Sequence, residues 1–389
     1  MSNHTKSSDS EKFAEGVERV DDALPSGIDR RTFFKAAVAG TFFSLTGFVD
    51  GGQEFDQEVD FRIAVDPSPN YAIAFSAQLQ GFWEDQGIRP LNVQGGQGSG
   101  DTARRIATEE DVLGLGAVTP QMLGIAQDDY NILQCCMTKA RAQSGLIYRQ
   151  DSIGDPYDPE ELSGKRITAP DTLDEQMWDI FRQGVGAEDV EVEYAEGATA
   201  SSMLDQGDID AIWDSINDYA SLQENLDHEL GFAPLYTITP MAGYALIVNG
   251  SWVEETEDGV EYVTRVVQGY SQAGKWTLLN PEEAVSMMEE EFQALQTQPT
   301  ESNLAALAAG VAATNATDGV RENGFGYLDE EVMQNTFDHL SEIYDVEAPD
   351  VEDVVFREVI DGAELAQFSD DEWQQVDEFA GEYADFYER

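Results

Sequence analysis

The fold class is indicated most clearly by the stretch R-P-L-N-V-Q-G-G-Q-G-S-G-D-T-A-R-R-I-A (Arg89 to Ala107), which contains a strand, a loop and the start of a helix. A short strand-like run leads into a glycine-rich loop, and the loop opens a helix at about Asp101. Strands that alternate with helices in this way are typical of a parallel sheet with crossover helices. The loop presents backbone N–H groups at a helix amino end, which suits a carboxylate or another polar group of a ligand. It lacks the Lys-Ser/Thr pair of a phosphate-binding loop and the G-x-G-x-x-G spacing, which argues against an ATPase.

The same alternation continues on both sides of this stretch. We predict further strands at residues 60–65, 111–116, 131–138 and 144–149. A turn-rich segment then precedes S-G-K-R-I-T-A-P (Ser163 to Pro170), which starts a second α/β series. After Pro234, two extended segments within residues 235–249 lead the chain back towards the first series. The remainder is helical, and Asn280 is predicted to cap a helix with Glu283 as its capping-box partner.

The amino-terminal segment has the features of an export signal. Arg30 and Arg31 are followed by F-F-K and then by an apolar run, residues 36–49, that is too short to span a bilayer comfortably. The pair resembles the twin-arginine signal, whose pathway carries folded proteins. An internal amphipathic helix is the weaker alternative because the run is apolar on every side. No cysteine follows the run, so we expect an exported protein, extracellular or at the cell surface, that is released or held by an uncleaved signal.

The charge of the chain restricts its partners. The 77 Asp and Glu residues exceed the 21 Lys and Arg residues by 56, and the net charge is −56. Such a chain repels phosphate backbones, so we expect no nucleic-acid partner. Concentrated salt shortens the Debye length to about 3 Å at 1 M and screens the repulsion between carboxylates. A halophilic source is therefore the simplest explanation of an acidic, lysine-poor surface.

The few histidines and cysteines argue against catalysis and metal binding. His4, His228 and His339 are the three histidines, and Cys135 and Cys136 are the two cysteines. A histidine-rich zinc site cannot be built from this set, and His228 and His339 lie in polar helical stretches that suit surface residues. The cysteines lie in an apolar run typical of a buried strand, with a vicinal disulfide as the alternative. We therefore expect no enzyme, no cofactor and no metal.

An ordered series of motifs carries a family resemblance. The series runs D-P-S-P-N-Y, Q-G-F-W-E-D-Q-G-I, the glycine loop, D-V-L-G-L-G, S-G-L-I-Y-R-Q-D-S, L-S-G-K-R-I and G-D-I-D-A-I-W, within residues 60–250. It resembles the solute-binding proteins of ABC importers, in the group that includes pyrimidine thiamine-precursor, nitrate and sulfonate binders. The resemblance implies a two-lobed α/β fold of the periplasmic-binding-protein type II kind. Each lobe would hold a mostly parallel sheet flanked by helices, and a two-stranded hinge would join the lobes.

The resemblance also implies domain bounds and partners. Residues 1–58 form the signal and a disordered amino-terminal segment, residues 59–149 with 242–389 form lobe 1, and residues 150–241 form lobe 2. The lobes would close on a small-molecule ligand and deliver it to an ABC permease and ATPase complex. Contact with the membrane would come only through the permease or an uncleaved signal.

The ligand is expected at loops that follow the carboxyl ends of strands, where clefts of α/β proteins lie. For every residue expected there, the alternative is a structural role in a turn, in a helix cap or in the core. For Trp213 the alternative is the core. The expected ligand-binding residues are Asp66, Asn70, Tyr71, Gly98, Ser99, Gly100, Thr119, Asp171, Thr172, Trp213, Asp214 and Tyr244.

The charges of these loops point weakly to a ligand class. Asp66, Asp171 and Asp214 with neighbouring aromatic rings favour an aminopyrimidine-like ligand that donates N–H groups and stacks. The alternatives are a nitrate- or sulfonate-type anion, for which Lys139 and Arg141 are the nearest cations, and a pyrimidine-synthesis-type enzyme on the same fold.

Overall fold

The strands divide between two five-stranded sheets in the computed structural model, which describes residue 55 and residues 59–88, 91–154, 157–169, 172–187, 189–195 and 197–388. The predicted twin-arginine signal lies outside the described residues. Phe55 already pairs with Ile88, four positions before the expected start of lobe 1 at residue 59. The strands are β1 Val59–Arg62, β2 Leu91–Gln94, β3 Leu113–Ala117, β4 Ile132–Lys139, β5 Ser144–Arg149, β6 Arg166–Ala169, β7 Glu191–Tyr194, β8 Ala211–Ser215, β9 Leu230–Pro234 and β10 Tyr244–Asn249.

The first sheet has the order β2-β1-β3-β10-β4. Strand β1 is parallel to β2 and β3, whereas β10 is antiparallel to both β3 and β4. Four of the five strands therefore run the same way, so the expected mostly parallel sheet is confirmed. Their burial agrees with a sheet covered on both faces: Leu246 and Ile247, neighbours on β10 whose side chains point to opposite faces, are both 0% exposed.

The second sheet has the order β7-β6-β8-β5-β9, and β5 is its reversed strand. We expected Ser144–Arg149 at the end of lobe 1, but its pairing with β8 and β9 assigns it to the second sheet. Strand β9, Leu230–Pro234, was not predicted. It is short and contains a glycine and a proline, two residues that weaken a strand pattern.

Two chain segments cross between the sheets. Residues 140–143 lead from β4 to β5, and residues 235–243 lead from β9 back to β10. The segments touch each other, since the amide of Ala142 donates to the carbonyl of Met241 at 2.9 Å. The amide of Val118 also donates to the carbonyl of Gly243 at 2.9 Å. The second crossing includes the predicted bound between residues 241 and 242, whereas the first lies before the predicted bound between residues 149 and 150.

Helices cover the faces of both sheets, and the long helix Gly259–Leu279 contributes most to the first core, with Tyr262, Val266 and Ala273 at most 1% exposed. Within the described part of the chain, no helix is both long enough and apolar enough to span a bilayer. The helices are α1 Ala72–Leu79, α2 Phe82–Asp85, α3 Ser99–Ala107, α4 Val118–Asp128, α5 Gln150–Ile153, α6 Thr172–Val185, α7 Gly197–Gln206, α8 Ile216–Asn225, α9 Gly250–Glu255, α10 Gly259–Leu279, α11 Pro281–Glu291, α12 Thr300–Leu307, α13 Asp318–Asn323, α14 Glu330–Tyr344, α15 Val351–Val354, α16 Arg357–Gly362, α17 Asp370–Ala380 and α18 Glu382–Asp385. Shorter turns of 3-10 helix span Pro69–Tyr71, Pro159–Leu162, Leu235–Thr237 and Leu295–Thr297, and a π-helix spans Ala308–Ala313.

Candidate functional site

Three of the expected ligand-binding residues converge at the carboxyl end of β4. Asn70 and Tyr71 lie on the 3-10 turn that follows β1, and Tyr244 starts β10, where its backbone pairs with Lys139. The Lys139 ammonium nitrogen lies 4.1 Å from the centroid of the Tyr244 ring and 5.3 Å from that of Tyr71. Aromatic rings attract cations at such distances. The two tyrosines therefore flank one lysine, which is only 2% exposed.

Gln143, on the first crossing segment, ties this cluster to both sheets. Its Oε1 accepts from Lys139 Nζ at 2.7 Å, and its Nε2 donates to Asn70 Oδ1 at 3.1 Å and to the Gly310 carbonyl at 2.7 Å. Its backbone carbonyl accepts from the amide of Ile216, the first residue of α8, at 3.0 Å. The side chain of Gln143 therefore joins Lys139, Asn70 and the π-helix, and its backbone joins them to the residue that follows β8.

The electrostatics of the cluster are set by burial. Within the described residues, Lys139 has no carboxylate partner, and its hydrogen-bond acceptor is the neutral amide of Gln143. Burial lowers the pKa of the Lys139 ammonium well below its usual value, and the charge of Asp218 opposes that shift. Asp218 is itself engaged, because it accepts from Ser215 Oγ and from Asn217 Nδ2, the latter at 3.1 Å.

Tyr71 stays neutral near pH 7. Burial, and then the neighbouring Tyr244, raises the pKa of Tyr71 well above its ordinary value. The Tyr71 phenol therefore supplies a hydrogen-bonding group and a ring face to the cluster, not a negative charge.

The glycine loop lies one strand away from Tyr244. Gly98 has a φ of +111°, a value that favours glycine, and it directly precedes α3. Ser99 Oγ accepts from the amide of Ala117 at 3.0 Å, and Ala117 pairs with Tyr244 across the sheet. Gly100 is exposed. The Ser99 hydroxyl thus holds the start of α3 against the end of β3.

Two further predicted residues from the first series have different surroundings. Thr119, in the first turn of α4, is 5% exposed and its hydroxyl donates to Met177 Sδ at 3.8 Å. Met177 belongs to α6, which packs on the second sheet, so Thr119 contributes to the contact between the two halves. Asp66 is exposed. Thr119 therefore lies where the halves meet, and Asp66 does not join the buried cluster around Lys139.

The residues predicted from the second series divide between core and strand end. Trp213 is 0% exposed, and its ring centroid lies 5.7 Å from that of Trp178 and 5.3 Å from that of Phe181. This packing favours the alternative in which Trp213 belongs to the core. Asp214 accepts from the amide of Ser215 at 2.8 Å and so shapes the turn into α8. Thr172 starts α6, whereas Asp171 lies outside the described residues.

Lys139 and Gln143 were not among the expected ligand-binding residues, although both belong to this buried cluster. The sequence analysis named Lys139 only as a nearby cation, and the signal was a lone lysine at the end of an otherwise apolar strand, N-I-L-Q-C-C-M-T-K. A charged residue in such a run is rarely buried unless it has a partner or a function. No sequence pattern pointed to Gln143, because its contacts depend on how the crossing segment is placed between the sheets.

The cysteines and the possible metal ligands take no part in this cluster. Cys135 and Cys136 are buried free thiols, so the alternative of a vicinal disulfide is wrong. Burial raises the pKa of Cys136 to about 12, which keeps it protonated. Among the residues that the structure describes, no three His, Cys, Asp or Glu side chains group so as to hold a metal ion.

Solved structures of several binding proteins share the fold. The ligand binding component of an ABC-type import system from Staphylococcus aureus, with zinc bound, matches with a TM-score of 0.59 and 12% identity over 79% of this chain and 100% of that chain. The periplasmic aliphatic sulphonate binding protein of Escherichia coli matches with a TM-score of 0.56 and 14% identity over 80% and 94%. The desulfurization enzyme DSZB matches with a TM-score of 0.54 and 15% identity over 78% and 99%.

These matches confirm the α/β fold of the periplasmic-binding-protein kind. No curated protein sequence matches the chain. The model of the family described as NMT1/THI5 like matches residues 68–284, which is more than half of the 389 residues and includes Asn70, Tyr71, Lys139, Gln143 and Tyr244. The chain therefore belongs to the NMT1/THI5-like family.

Proposed function

We propose that the chain is an exported solute-binding protein that captures a small ligand between two lobes and delivers it to an ABC permease and ATPase complex. The observation that carries the proposal is the convergence of Asn70 and Tyr71, which follow β1, and of Tyr244, which starts β10, on Lys139 and Gln143. Polar groups that converge from several strand ends mark ligand sites in α/β proteins. The family and the fold of the sulphonate binding protein agree with this function.

Closure of the two lobes is part of the proposal. Lobe 1 would contain the first sheet and lobe 2 the second, with bounds that follow the crossings at residues 140–143 and 235–243. Ligand contacts from both halves would favour the closed arrangement over an open one. Gln143 supports this idea, because it is hydrogen-bonded to Asn70 on one side and to Ile216 on the other.

Two ligand classes fit the cluster, and we favour a ligand with an anionic group. The rings of Tyr71 and Tyr244 suit the aminopyrimidine-like ligand that the sequence favours. A buried lysine without a carboxylate partner in the described residues suits an anion, and it would repel a protonated amine. The acidic surface would keep the exported protein soluble in brine, and the ligand-facing charge would be local to Lys139.

An enzyme on this fold is the weaker alternative. The fold match to the desulfurization enzyme DSZB shows that this fold can also carry an enzyme. A cysteine nucleophile would need an accessible thiolate, and the two thiols here are fully buried in β4 with raised pKa values. His228 Nε2 lies 3.0 Å from the backbone carbonyl of Asp205 at the surface of the second half. We therefore propose a binding protein without catalytic residues.

Ligand-dependent stabilisation tests the proposal. The full chain, in 2 M KCl, is titrated with ethanesulfonate, nitrate and 4-amino-2-methylpyrimidine and followed by calorimetry and thermal unfolding. At least one ligand is expected to bind and raise the melting temperature, because binding to the folded state stabilises it. Tyr244→Ala should weaken binding about tenfold or more. Tyr194→Ala is the matched control, since Tyr194 is 62% exposed at the end of β7.

The titrations with the two variants have three distinguishable outcomes. Binding that Tyr244→Ala weakens and Tyr194→Ala leaves unchanged supports the cleft and identifies the ligand class. Absence of any heat or stabilisation from all three ligands contradicts the solute-binding proposal. Equal affinity in both variants would mean that the ligand binds elsewhere in the chain.

A further inference from the structure

Lys139 differs from the other lysines that the structure describes in what it contacts. Lys165 Nζ donates to the carbonyl of Ser152 at 2.7 Å and lies 3.9 Å from Asp210, and Lys275 Nζ lies 2.8 Å from Glu372. Both of those side chains are more than a fifth exposed. Lys139 is 2% exposed and has a neutral amide as its acceptor. Burying an ammonium without an opposite charge is unfavourable by several kcal/mol in proteins.

The groups that face Lys139 do not offset this cost. From the 3-10 turn and from β10 it meets the phenols of Tyr71 and Tyr244, and beyond them lies Tyr270 of α10, which is also buried. From α8 it meets the field of Asp218, whose carboxylate accepts from Ser215 and Asn217. Lys139 therefore lacks a charge that compensates it in direct contact within the described residues.

One buried acceptor nearby has no partner of its own. Asn217 Oδ1, on α8 beside Asp218, is buried without a hydrogen-bond donor among the described residues. Its amide nitrogen is used, because it donates to Asp218. A ligand with a donor group beyond its anionic head could satisfy this oxygen, since an unpaired buried polar atom is costly.

We propose that Lys139 is the specificity-determining residue of the site and selects solutes by charge, because its ammonium is buried without an opposite charge in direct contact and an anionic group of the ligand would supply one. The inference rests on the proposed solute-binding function. A neutral ligand of the same shape would leave the buried Lys139 ammonium without an opposite charge. The lobes would then close with Lys139 deprotonated, so binding of the neutral ligand would release a proton from Nζ to the solvent. An anionic ligand would pair with the ammonium of Lys139, so the lobes would close on it without release of a proton.

Isosteric ligand pairs test the selection by charge. Ethanesulfonate with ethanesulfonamide and acetate with acetamide are titrated at pH 7 into the wild-type full chain in 2 M KCl. Imidazole and Tris serve as buffers because sulfonate buffers would compete. The wild type is expected to bind the anion of a pair about 100-fold more tightly than its neutral partner, in the range seen when one member of a buried charge pair is removed. Lys139→Met should reduce that preference to below about tenfold, and Lys275→Met, which changes the net charge equally, should leave it intact.

Proton release gives a readout that needs no variant. Calorimetry in two buffers of different ionisation enthalpy measures protons exchanged per ligand bound. Neutral ligands should release up to one proton per site near neutral pH, so their affinity should rise with pH, and anions should release none. An unchanged charge preference in Lys139→Met, or equal proton release for both members of a pair, overturns this inference but leaves the proposed solute-binding function standing. If the wild type binds no member of either pair, the inference falls, and the three-ligand titration still decides the proposed function separately.

Discussion

Two buried polar residues near the first crossing differ in how fully they are satisfied. Asn315 Oδ1 accepts from the amide of Ala140 at 3.1 Å, and its Nδ2 donates to the carbonyls of Thr138 and Val311 at 3.1 and 3.0 Å. Lys139 has the single acceptor Gln143 in the described residues. A fully bonded amide stabilises its surroundings, whereas a partly satisfied ammonium reduces stability in return for a binding property. Asn315 is therefore structural, and Lys139 is the residue whose replacement should separate stability from binding.

Replacing Lys139 with methionine should stabilise the fold in the absence of ligand. Burial lowers the folded-state pKa of the lysine, so its ammonium destabilises the fold below the ordinary value of about 10.4, and this penalty shrinks as pH rises towards that value. We expect Lys139→Met to gain about 1 kcal/mol or more near pH 7, which for a folded unit of this length is about 1–2 °C in melting temperature, and less at pH 10. Thermal unfolding of both proteins at the two pH values measures the difference.

The control is Lys275→Met, which removes the ion pair with Glu372 and should not stabilise the fold at either pH. A gain in Lys139→Met that is equal at pH 7 and pH 10 would show better packing, not relief of a buried charge. A loss at both values would contradict the assignment of Lys139 as an uncompensated cation.

At the scale of elements, the glycine loop is held by close backbone approach. A Cβ at Gly96 would lie 2.4 Å from the carbonyl of Ile63 and 2.8 Å from that of Ala64, the residues that follow β1. The amide of Gly98 donates to the carbonyl of Ala64 at 2.6 Å. Contact at this distance involves the backbone on both sides, so a side chain at Gly96 cannot be accommodated by rotation. The loop and α3 are therefore held against the segment that leads from β1 to the turn that carries Asn70.

Gly96→Ala should consequently destabilise the chain by about 2 kcal/mol or more, through overpacking against backbone, and weaken ligand binding by moving the Asn70 turn. Gly164→Ala is the control, because Gly164 has a φ of +74° with nothing within 4 Å of its added Cβ, and backbone strain alone costs about 1 kcal/mol. Denaturant unfolding and calorimetry of both variants provide the comparison. Equal losses in the two variants, or unchanged binding in Gly96→Ala, would show that the close approach does not position the site.

Much of the element order could be predicted from the sequence, because hydrophobic alternation and glycine punctuation are local. Strand Ser144–Arg149 has the predicted bounds, yet its sheet was assigned wrongly, since periodicity does not say which strands pair. Asn280 occupies the N-cap position of α11 as predicted, but the predicted capping box with Glu283 is wrong. The Asn280 side chain donates to the carbonyl of Trp276 and so closes α10, and it makes no cap bond to α11. Two helices compete for this residue, and only the structure shows which one it serves.

The candidate site was predictable to the extent that it follows strand ends. Asn70, Tyr71 and Tyr244 were expected there, and the structure brings them together. Lys139 lies within a strand and Gln143 on a crossing, and their importance comes from contacts between segments far apart in sequence. Burial and pairing of this kind are tertiary properties, which strand and turn patterns do not contain.

At the scale of the whole molecule, the few cations are concentrated in networks. Arg62 and Arg105 both bond Asp111, through Nε to Oδ2 at 2.9 and 2.5 Å, and Arg104 bonds Asp101 and Glu110. Even if every one of the 21 Lys and Arg residues were paired, 56 of the 77 acidic side chains would have no opposite charge. Salt is therefore expected to supply the rest by screening, and all of the binding measurements above are designed for molar KCl.

The carboxyl-terminal segment provides a third link between the halves, beside the two crossings. Helix α17 packs on the π-helix Ala308–Ala313, whose Gly310 carbonyl accepts from Gln143. Phe386, after α18, lies 5.2 Å from the ring of Tyr219 and 5.7 Å from that of Phe232, both on the second half. The hydroxyl of Tyr387 donates to the carbonyl of Ala142 on the first crossing at 3.3 Å. The end of the chain therefore spans the junction and contacts the proposed hinge.

Removing the Phe386 ring should loosen this third link. Phe386 is 8% exposed, and a buried Phe→Ala change costs about 3–5 kcal/mol. Because its ring partners lie in α8 and β9, Phe386→Ala should increase hydrogen exchange at residues 216–234 more than in β1 and β3 of the first sheet. Phe379→Ala on α17 is the matched control, since Phe379 is only half-buried and α17 packs on the π-helix. Exchange that increases equally in both sheets would indicate general destabilisation, and unchanged exchange at residues 216–234 would show that the segment does not restrain the second half. A selective increase, together with weaker ligand binding, would mean that the chain end helps to hold the two halves in the arrangement that buries Lys139.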